Sequence, residues 1–270
     1  MGDPLVHSEE ILRRIIEAEC RYTLSRLRVL ERLPGNPVGV ACKVIDVAFA
    51  LSARYLPNSS FNRVVGLTDA LASEVPALID WFESRQIAGR FEIVPGVPCS
   101  SVLAALSEQG YAHTDFHAVL FGRPQAAPAA APGVTVEVVD ASSLEAFLDC
   151  YSAGWGVPNP EAFKNNVRGW LGQSGWTLYL GRYLGSPAGG AILYMDGPTG
   201  YCADSAVDPE HRGHGVHQAL LHRRSADAAA AGADLLCAQA AYLSTSQRNM
   251  IRAGLALFST KAIWTRRPLH

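Results

Sequence analysis

The residues best suited to chemistry lie together in Asp208-Pro209-Glu210-His211-Arg212-Gly213-His214-Gly215-Val216-His217, between Ala203-Asp204-Ser205-Ala206-Val207 and Gln218-Ala219-Leu220-Leu221. Two glycines let the backbone curl, and a helix opened directly after them presents several amides without an intrahelical acceptor at the positive end of its dipole. That arrangement suits phosphate. Arg212 adds positive charge beside it, although an arginine at a helix start can equally face water. No Gly-Lys-Ser/Thr follows, which excludes a P-loop, and no third glycine stands at the offset of the dinucleotide-binding fingerprint. His211, His214 and His217 are three residues apart but straddle the loop without a matching carboxylate or cysteine cluster, so no metal is expected. Imidazoles beside phosphate are the better reading.

The elements that must position this loop can be read on either side of it. The apolar-rich run up to Val207 reads as a strand stopped by Asp208-Pro209, since proline ends ladder pairing and holds the preceding residue extended. From Gly215 an alanine- and leucine-rich helix continues to Ala231, with Gly232 placed for a C-terminal cap. Upstream, strand patterns fall at 134–139, 176–184, 188–195 and 201–207, and helices at about 142–153, which Ser142 can cap, and 160–171. Downstream come a strand at 234–240, a helix at 245–253 opened by the capping box Ser244-Thr245-Ser246-Gln247, and a last strand at 255–265.

At 270 residues the chain exceeds the usual single domain, and 49% hydrophobic with 18% charged residues supplies an ample core. A net charge of −2 suggests neither nucleic acid nor an anionic membrane as partner. Met1-Gly2-Asp3-Pro4 begins no apolar leader and no myristoylation pattern, and no apolar run is long enough to span a membrane. The six cysteines are scattered without a CxxC pair, which suits reduced thiols in a cytoplasm. The first half reads as an amphipathic helix at about 8–33 capped by Ser8, β-like runs at 44–51 and 61–67, a helix at 70–86, a strand at 91–94, a helix at 100–109, and a strand ending near Phe121. Residues 124–133 are almost purely Ala and Pro and read as an interdomain linker.

Val207, Pro209, Arg212 and Gly215 match the acyl-CoA loop Val-x-Pro-x-x-Arg-x-x-Gly-x-Gly/Ala of the GCN5-related N-acetyltransferase (GNAT) family, which this stretch resembles. His217 departs from it, standing where glycine or alanine is usual. The resemblance implies that loop amides hold a CoA pyrophosphate and that the preceding strand is splayed so its backbone can pair with pantetheine. By position this assigns Ser205, Ala206 and Val207 to pantetheine, Arg212, Gly213, His214, Gly215, Val216 and His217 to pyrophosphate, and Asn249 to the CoA arm.

The two halves close in the same order: strand, helix, strand, short helix, glycine, strand. Leu67 falls opposite Val207, Phe91 opposite Asp234 and Gly110 opposite Gly254, a period of roughly 140 residues that indicates a duplicated domain. After Leu67 the first half has Thr68-Asp69-Ala70-Leu71-Ala72-Ser73, without glycine or arginine. The expected fold is therefore α/β (α+β), two tandem GNAT-like domains, each a mixed, mostly antiparallel sheet flanked by helices. The expected division is a degenerate domain over 1–123, the linker, and a domain with the acyl-CoA loop over 134–270.

In this family an amine attacks the thioester directly, so a base, an oxyanion site and an acid for the thiolate are needed. Asp204 is the candidate base, with a water chain as competitor. Counting four residues back from Gly254, where the family commonly has tyrosine, reaches Met250; Tyr242 and Ser246 are the substitute donors, with Ser244, though such hydroxyls also suit helix capping. Tyr151 and Trp155, on and after the first helix of this half, are the candidate acceptor contacts. The expected function is transfer of an acyl group, acetyl foremost, from acyl-CoA to a small-molecule amine in a ternary complex, with acyl-CoA as co-substrate and no metal. The rival is a catalytically inactive acyl-CoA-binding or interaction protein. Assembly as a homodimer is left open.

Overall fold

The computed structural model describes residues 7–56, 61–96, 98–157 and 160–267, apart from the side chain of Ala162. Met1-Gly2-Asp3-Pro4, and Pro158 of the loop after Trp155, lie outside the described residues. Contacts group the chain into two units, one of Leu120–Leu257 and one of His7–Val119 with the strand from Phe258 onward.

In the first unit, α1 (Glu9–Glu31) is capped by Ser8, whose hydroxyl accepts from Ile11 N at 3.3 Å. The run expected as one strand at 44–51 is two, β1 (Val40–Ile45) and β2 (Ala48–Ala53), reversed at Asp46, whose φ of 52° a short polar side chain tolerates. β3 (Arg63–Val65) continues antiparallel to β2, and β4 (Arg90–Ile93) lies parallel to β3. The helix expected at 70–86 is a 3₁₀ helix, Asp69–Glu74, followed by α2 (Val75–Ser84) with proline in its first turn. α3 (Ser100–Glu108) and β5 (Tyr111–Gly122) complete the half. Phe91 packs edge-to-face on Phe82 and Tyr111 at the centre of this core.

In the second unit, β6 (Val134–Val138), β7 (Trp176–Tyr183), β8 (Ser186–Asp196) and β9 (Thr199–Val207) form an antiparallel meander, and β10 (Leu235–Ala241) joins β9 in parallel. Both units thus consist of an antiparallel run ending in a parallel pair, with helices packed on it. α4 (Leu144–Trp155) and α6 (Val216–Ala230) take opposite faces of the second sheet. A Cβ on Gly190 would meet Phe147 and Tyr151 of α4, and one on Gly181 would meet Val216 and Leu220 of α6. Gly190 pairs with Leu180, so Gly190 and Gly181 point to opposite sides. α5 (Pro160–Arg168) follows α4, and α7 (Thr245–Arg252) carries the first half of the expected capping box, Ser244 Oγ accepting from Gln247 N at 3.1 Å, while Gln247 Oε1 accepts from Leu243 N and Ser244 N donates to Ala241 O. The cap expected at Ser142 is made instead by Asp140, whose carboxylate accepts from the amides of Ser142 and Ser143 at 2.8 and 3.0 Å.

The last strands depart from a division at the Ala/Pro stretch. β5 passes into the second unit at Leu120, and β11 (Ala256–Arg266) passes into the first at Phe258. There β11 runs antiparallel to β4 with Ala262 opposite Ile93. Residues 124–133 form no helix or strand, but they lie against α6. Gln125 N donates to Ser225 Oγ at 2.8 Å, and that hydroxyl donates back to Gln125 O at 3.2 Å. No helix among the described residues is long and apolar enough to cross a membrane.

Candidate functional site

The site begins with a defect in β9. This strand pairs with β8 from Asp196↔Thr199 to Leu193↔Cys202, slips, and resumes at Ala191↔Ser205. Ala203 and Asp204 together therefore oppose Ile192 alone, a β-bulge that bends the strand and breaks its ladder. Pairing with β10 also stops at Ala238↔Cys202, so the two parallel strands part beyond this point. The carbonyls stranded by the slip are taken by Arg224 of α6, whose Nη1 donates to Ile192 O at 3.1 Å and to Ala203 O at 3.0 Å, while Nε donates to Leu220 O. Arg224 is fully buried, and among the described residues no carboxylate pairs with it. It leaves a positive charge inside the unit next to the bulge.

Beyond the bulge the parted strands open onto a cavity of about 510 Å³. Ser205, Ala206 and Val207 supply its strand edge, Arg212, Gly213, Gly215, Val216 and His217 its loop, Gly154 and Trp155 the end of α4, and Thr245, Ser246, Asn249 and Arg252 one side of α7. The loop is shaped by its sequence. Asp208 caps a 3₁₀ turn, Pro209–His211, by accepting from Glu210 N at 3.0 Å. Gly213 and Gly215 then both take φ of +85°, a region closed to most side chains, and Gly215 is the N-cap of α6. The amides of Val216, His217 and Gln218, at the first turn of α6, have no intrahelical acceptor. Arg212 folds back on the backbone, Nε donating to Val207 O at 3.2 Å and Nη2 to Gly154 O at 3.3 Å, so it ties the end of β9 to the end of α4 with its charge still at the loop.

His217 fills the space that glycine or alanine would leave between α6 and α7. Arg252 Nη1 donates to Asn249 Oδ1 at 2.8 Å, which fixes that amide and turns its Nδ2 toward His217 Nδ1 at 3.0 Å. Nδ1 is therefore an acceptor and the ring proton sits on Nε2. Burial, reinforced by the charge of Arg224, pushes the imidazole pKa down to about 4, so His217 is neutral at neutral pH. Gln218 Nε2 adds a bond to Asn249 O at 2.7 Å.

Of the residues singled out from the sequence, Ser205, Ala206, Val207, Arg212, Gly213, Gly215, Val216, His217, Asn249, Ser246 and Trp155 line the cavity. Asp204, His214, Tyr242 and Tyr151 do not. Asp204 sits within the bulge, half-buried. His214 stacks on Tyr183 at 4.2 Å. Tyr242 is in the turn before α7, 45% exposed. Tyr151 is fully buried, stacked on Phe147 and Phe163 and edge-on to Trp170, so it belongs to the core. His211, read from the sequence as an imidazole beside phosphate, also lines the cavity, whereas Gly154, Gln218, Thr245 and Arg252 line it without having been singled out. Helical spacing carries a signal for the last, since Arg252 is three residues past Asn249. Nothing local marks Gly154, which touches the site only because α4 crosses β9. Two buried polar atoms on lining residues, Ser205 Oγ and His211 Nδ1, have no partner among the described residues. A ligand in the cavity would supply one.

No group of three or more His, Cys, Asp or Glu among the described residues is placed to hold a metal ion. By sequence, no curated protein matches the chain. Residues 142–251 match the model of the acetyltransferase (GNAT) family. Among solved structures, the chain is similar to a GCN5-related N-acetyltransferase from Sphaerobacter thermophilus, at 16% identity and a TM-score of 0.62 over 99% of this chain and 96% of that one. A GCN5-related N-acetyltransferase from Kribbella flavida gives 17% and 0.59 over 93% and 96%. A tandem GNAT protein from the clavulanic acid biosynthesis pathway gives 13% and 0.58 over 99% and 98%. At these identities the likeness speaks for the fold, and it extends over nearly the whole chain. The glycine loop and the bulged strand both fall inside the matched segment, so residues 142–251 carry a GNAT-type acetyltransferase domain, set in a fold that nearly the whole chain shares with a tandem GNAT protein.

Proposed function

We propose that the second unit transfers an acyl group, acetyl foremost, from acyl-CoA to a small-molecule amine by direct attack. The observation that carries this reading is the cavity itself, whose one edge is the backbone of Ser205–Val207, paired with β8 but past the end of its pairing with β10, and whose other is a helix N-terminus behind two glycines. The chemistry of the lining fits acyl-CoA. Free amides at the start of α6, Arg212, Arg252 and the buried charge of Arg224 favour a pyrophosphate, and the strand edge can pair with the amides of pantetheine. Acyl-CoA, when bound, supplies an activated thioester. The chain's part is to bind it, to donate to its carbonyl oxygen from the bulged strand, and to manage two protons.

Asp204 does not line the cavity, so in this reading the ammonium loses its proton through water at the open mouth. Ser205 Oγ, buried without a partner among the described residues, and Ser246 are the hydroxyls placed to protonate the thiolate. Trp155, 47% exposed at the end of α4, is the acceptor contact. Calorimetric titration with acetyl-CoA, repeated on an Arg212→Ala, Gly215→Glu variant, tests the reading. Binding lost in the variant supports it, and absence of binding by the unaltered protein sinks it. One observation favours a binding protein without turnover: Met250, which cannot donate a proton, is buried where the family commonly has tyrosine. Thiol release with amine acceptors separates the two.

A further inference from the structure

The first unit has a cavity of its own, of about 480 Å³. Parallel pairing of β3 with β4 ends at Val65↔Glu92, and beyond it Asp69 N donates to Pro98 O at 2.9 Å. Between these closures lies an aperture about four residues long, roughly 13 Å at strand spacing. Gly66 turns its corner with φ of +87°, and a Cβ there would stand 2.5 Å from Val47 O. Leu12, Ile16, Phe49, Leu67 and Val94 give it an apolar lining, and Val47 at the same cavity is left 52% exposed.

This cavity is not built for phosphate. Where the second unit has a glycine loop, the first has the 3₁₀ helix Asp69–Glu74, and the Asp69 carboxylate occupies the first amides of α3, accepting from Ser101 N at 2.7 Å and Val102 N at 3.3 Å. The charges at the mouth are mixed, Glu9, Glu17 and Asp46 against Arg13 and Arg21, and leave one net negative charge. Glu9, Arg13, Glu17 and Arg21 recur every four residues along one face of α1 and all line the cavity. Both arginines are drawn to Glu17, at 2.6 and 3.5 Å. Glu9 and, from the β1–β2 turn, Asp46 remain as carboxylates with no partner among the described residues.

We propose that this cavity binds a small amphipathic amine, with its apolar body among Leu12, Ile16, Phe49, Leu67 and Val94 and its ammonium against Glu9 and Asp46. The site stands independently of acyl transfer in the second unit. Hexylamine is the probe, titrated into the full chain by calorimetry and ligand-observed NMR, with hexan-1-ol and hexanoate as matched controls. Saturable binding of hexylamine is expected, weakened about tenfold or more by Glu9→Gln with Asp46→Asn, abolished by Ile16→Trp, and unchanged by Gly215→Glu in the other unit. Both carboxylates are exposed, so their replacement leaves the fold intact. The proposal is overturned by no saturable binding, by equal binding of the alcohol or the acid, by indifference to the double substitution, or by loss in Gly215→Glu with retention in Ile16→Trp. Acetyl-CoA titrated into Ile16→Trp reports on the second unit separately.

Discussion

Arg224 Nη1 lies 3.0 Å from the carbonyl oxygen of Ala203, at the residue where β9 slips out of register with β8. A bulge leaves ladder groups without partners, and here a buried guanidinium from the helix that follows the strand supplies them. The bend that opens the cavity and the helix whose N-terminus faces it are thereby joined by one side chain.

Arg224→Met is expected to leave the Ile192 and Ala203 carbonyls buried and unpaired, at a cost of about 2–4 kcal/mol. Urea unfolding measures the loss, and acetyl-CoA affinity should fall with it. Arg224→Lys, which keeps a donor but not the fork, should recover part of both. A methionine variant as stable as the parent would remove Arg224 from this role.

His217 makes stability depend on pH. Its folded pKa, about 4, lies below the 6.5 of the free side chain. Between those values the unfolded chain binds the extra proton, so the contribution of a neutral His217 is whole above pH 6.5 and is lost as pH falls toward 4, by about 3 kcal/mol. His217→Gln should flatten the acid limb of a stability–pH curve over this range. An identical limb in the variant would place the dependence elsewhere.

In the first unit, Lys261 Nζ on β11 lies 2.8 Å from Glu19 Oε1 on α1 and 2.5 Å from Glu92 Oε2 on β4, all buried, with Arg63 on Glu19 and Glu92 as well. Burial alone would raise both carboxyls. The Lys261 and Arg63 charges outweigh it, holding Glu19 below and Glu92 well below the usual range. Their contribution is thus present above the ordinary carboxylate pKa and is lost as pH falls beneath it. Lys261→Met should cost about 3–5 kcal/mol, because it leaves buried carboxylates short of a counter-charge. Native-state hydrogen exchange should show the loss in the β3 and β4 amides; unchanged protection there would contradict it.

Gly154 packs against the strand edge of the second cavity. A Cβ there would stand 2.8 Å from Ala206 Cβ and 3.0 Å from Val207 N. Gly154→Ala should push α4 from β9, costing about 1–3 kcal/mol and lowering acetyl-CoA affinity. Unchanged melting temperature and affinity together would show that the contact gives way freely.

By itself, the sequence determined the features written in local chemistry. Pro209, Gly213 and Gly215 end a strand, turn the chain at positive φ and open a helix, and no other residues do all three so cheaply, so the shape of the loop was legible residue by residue. The order of strands and helices followed from periodicity, and the duplication from the order. Which polar residues face the cavity was decided only by tertiary structure. Tyr151 and Trp155 lie on one helix four residues apart, yet one is core and the other lines the site, because the sheet and α5 cover only part of that helix. Arg224 reads in the sequence as one more helical arginine; it is buried because the bulge at Ala203 leaves carbonyls that need it. Lys261 likewise meets Glu19 across 242 positions because β11 pairs beside β4, a contact that no local pattern encodes.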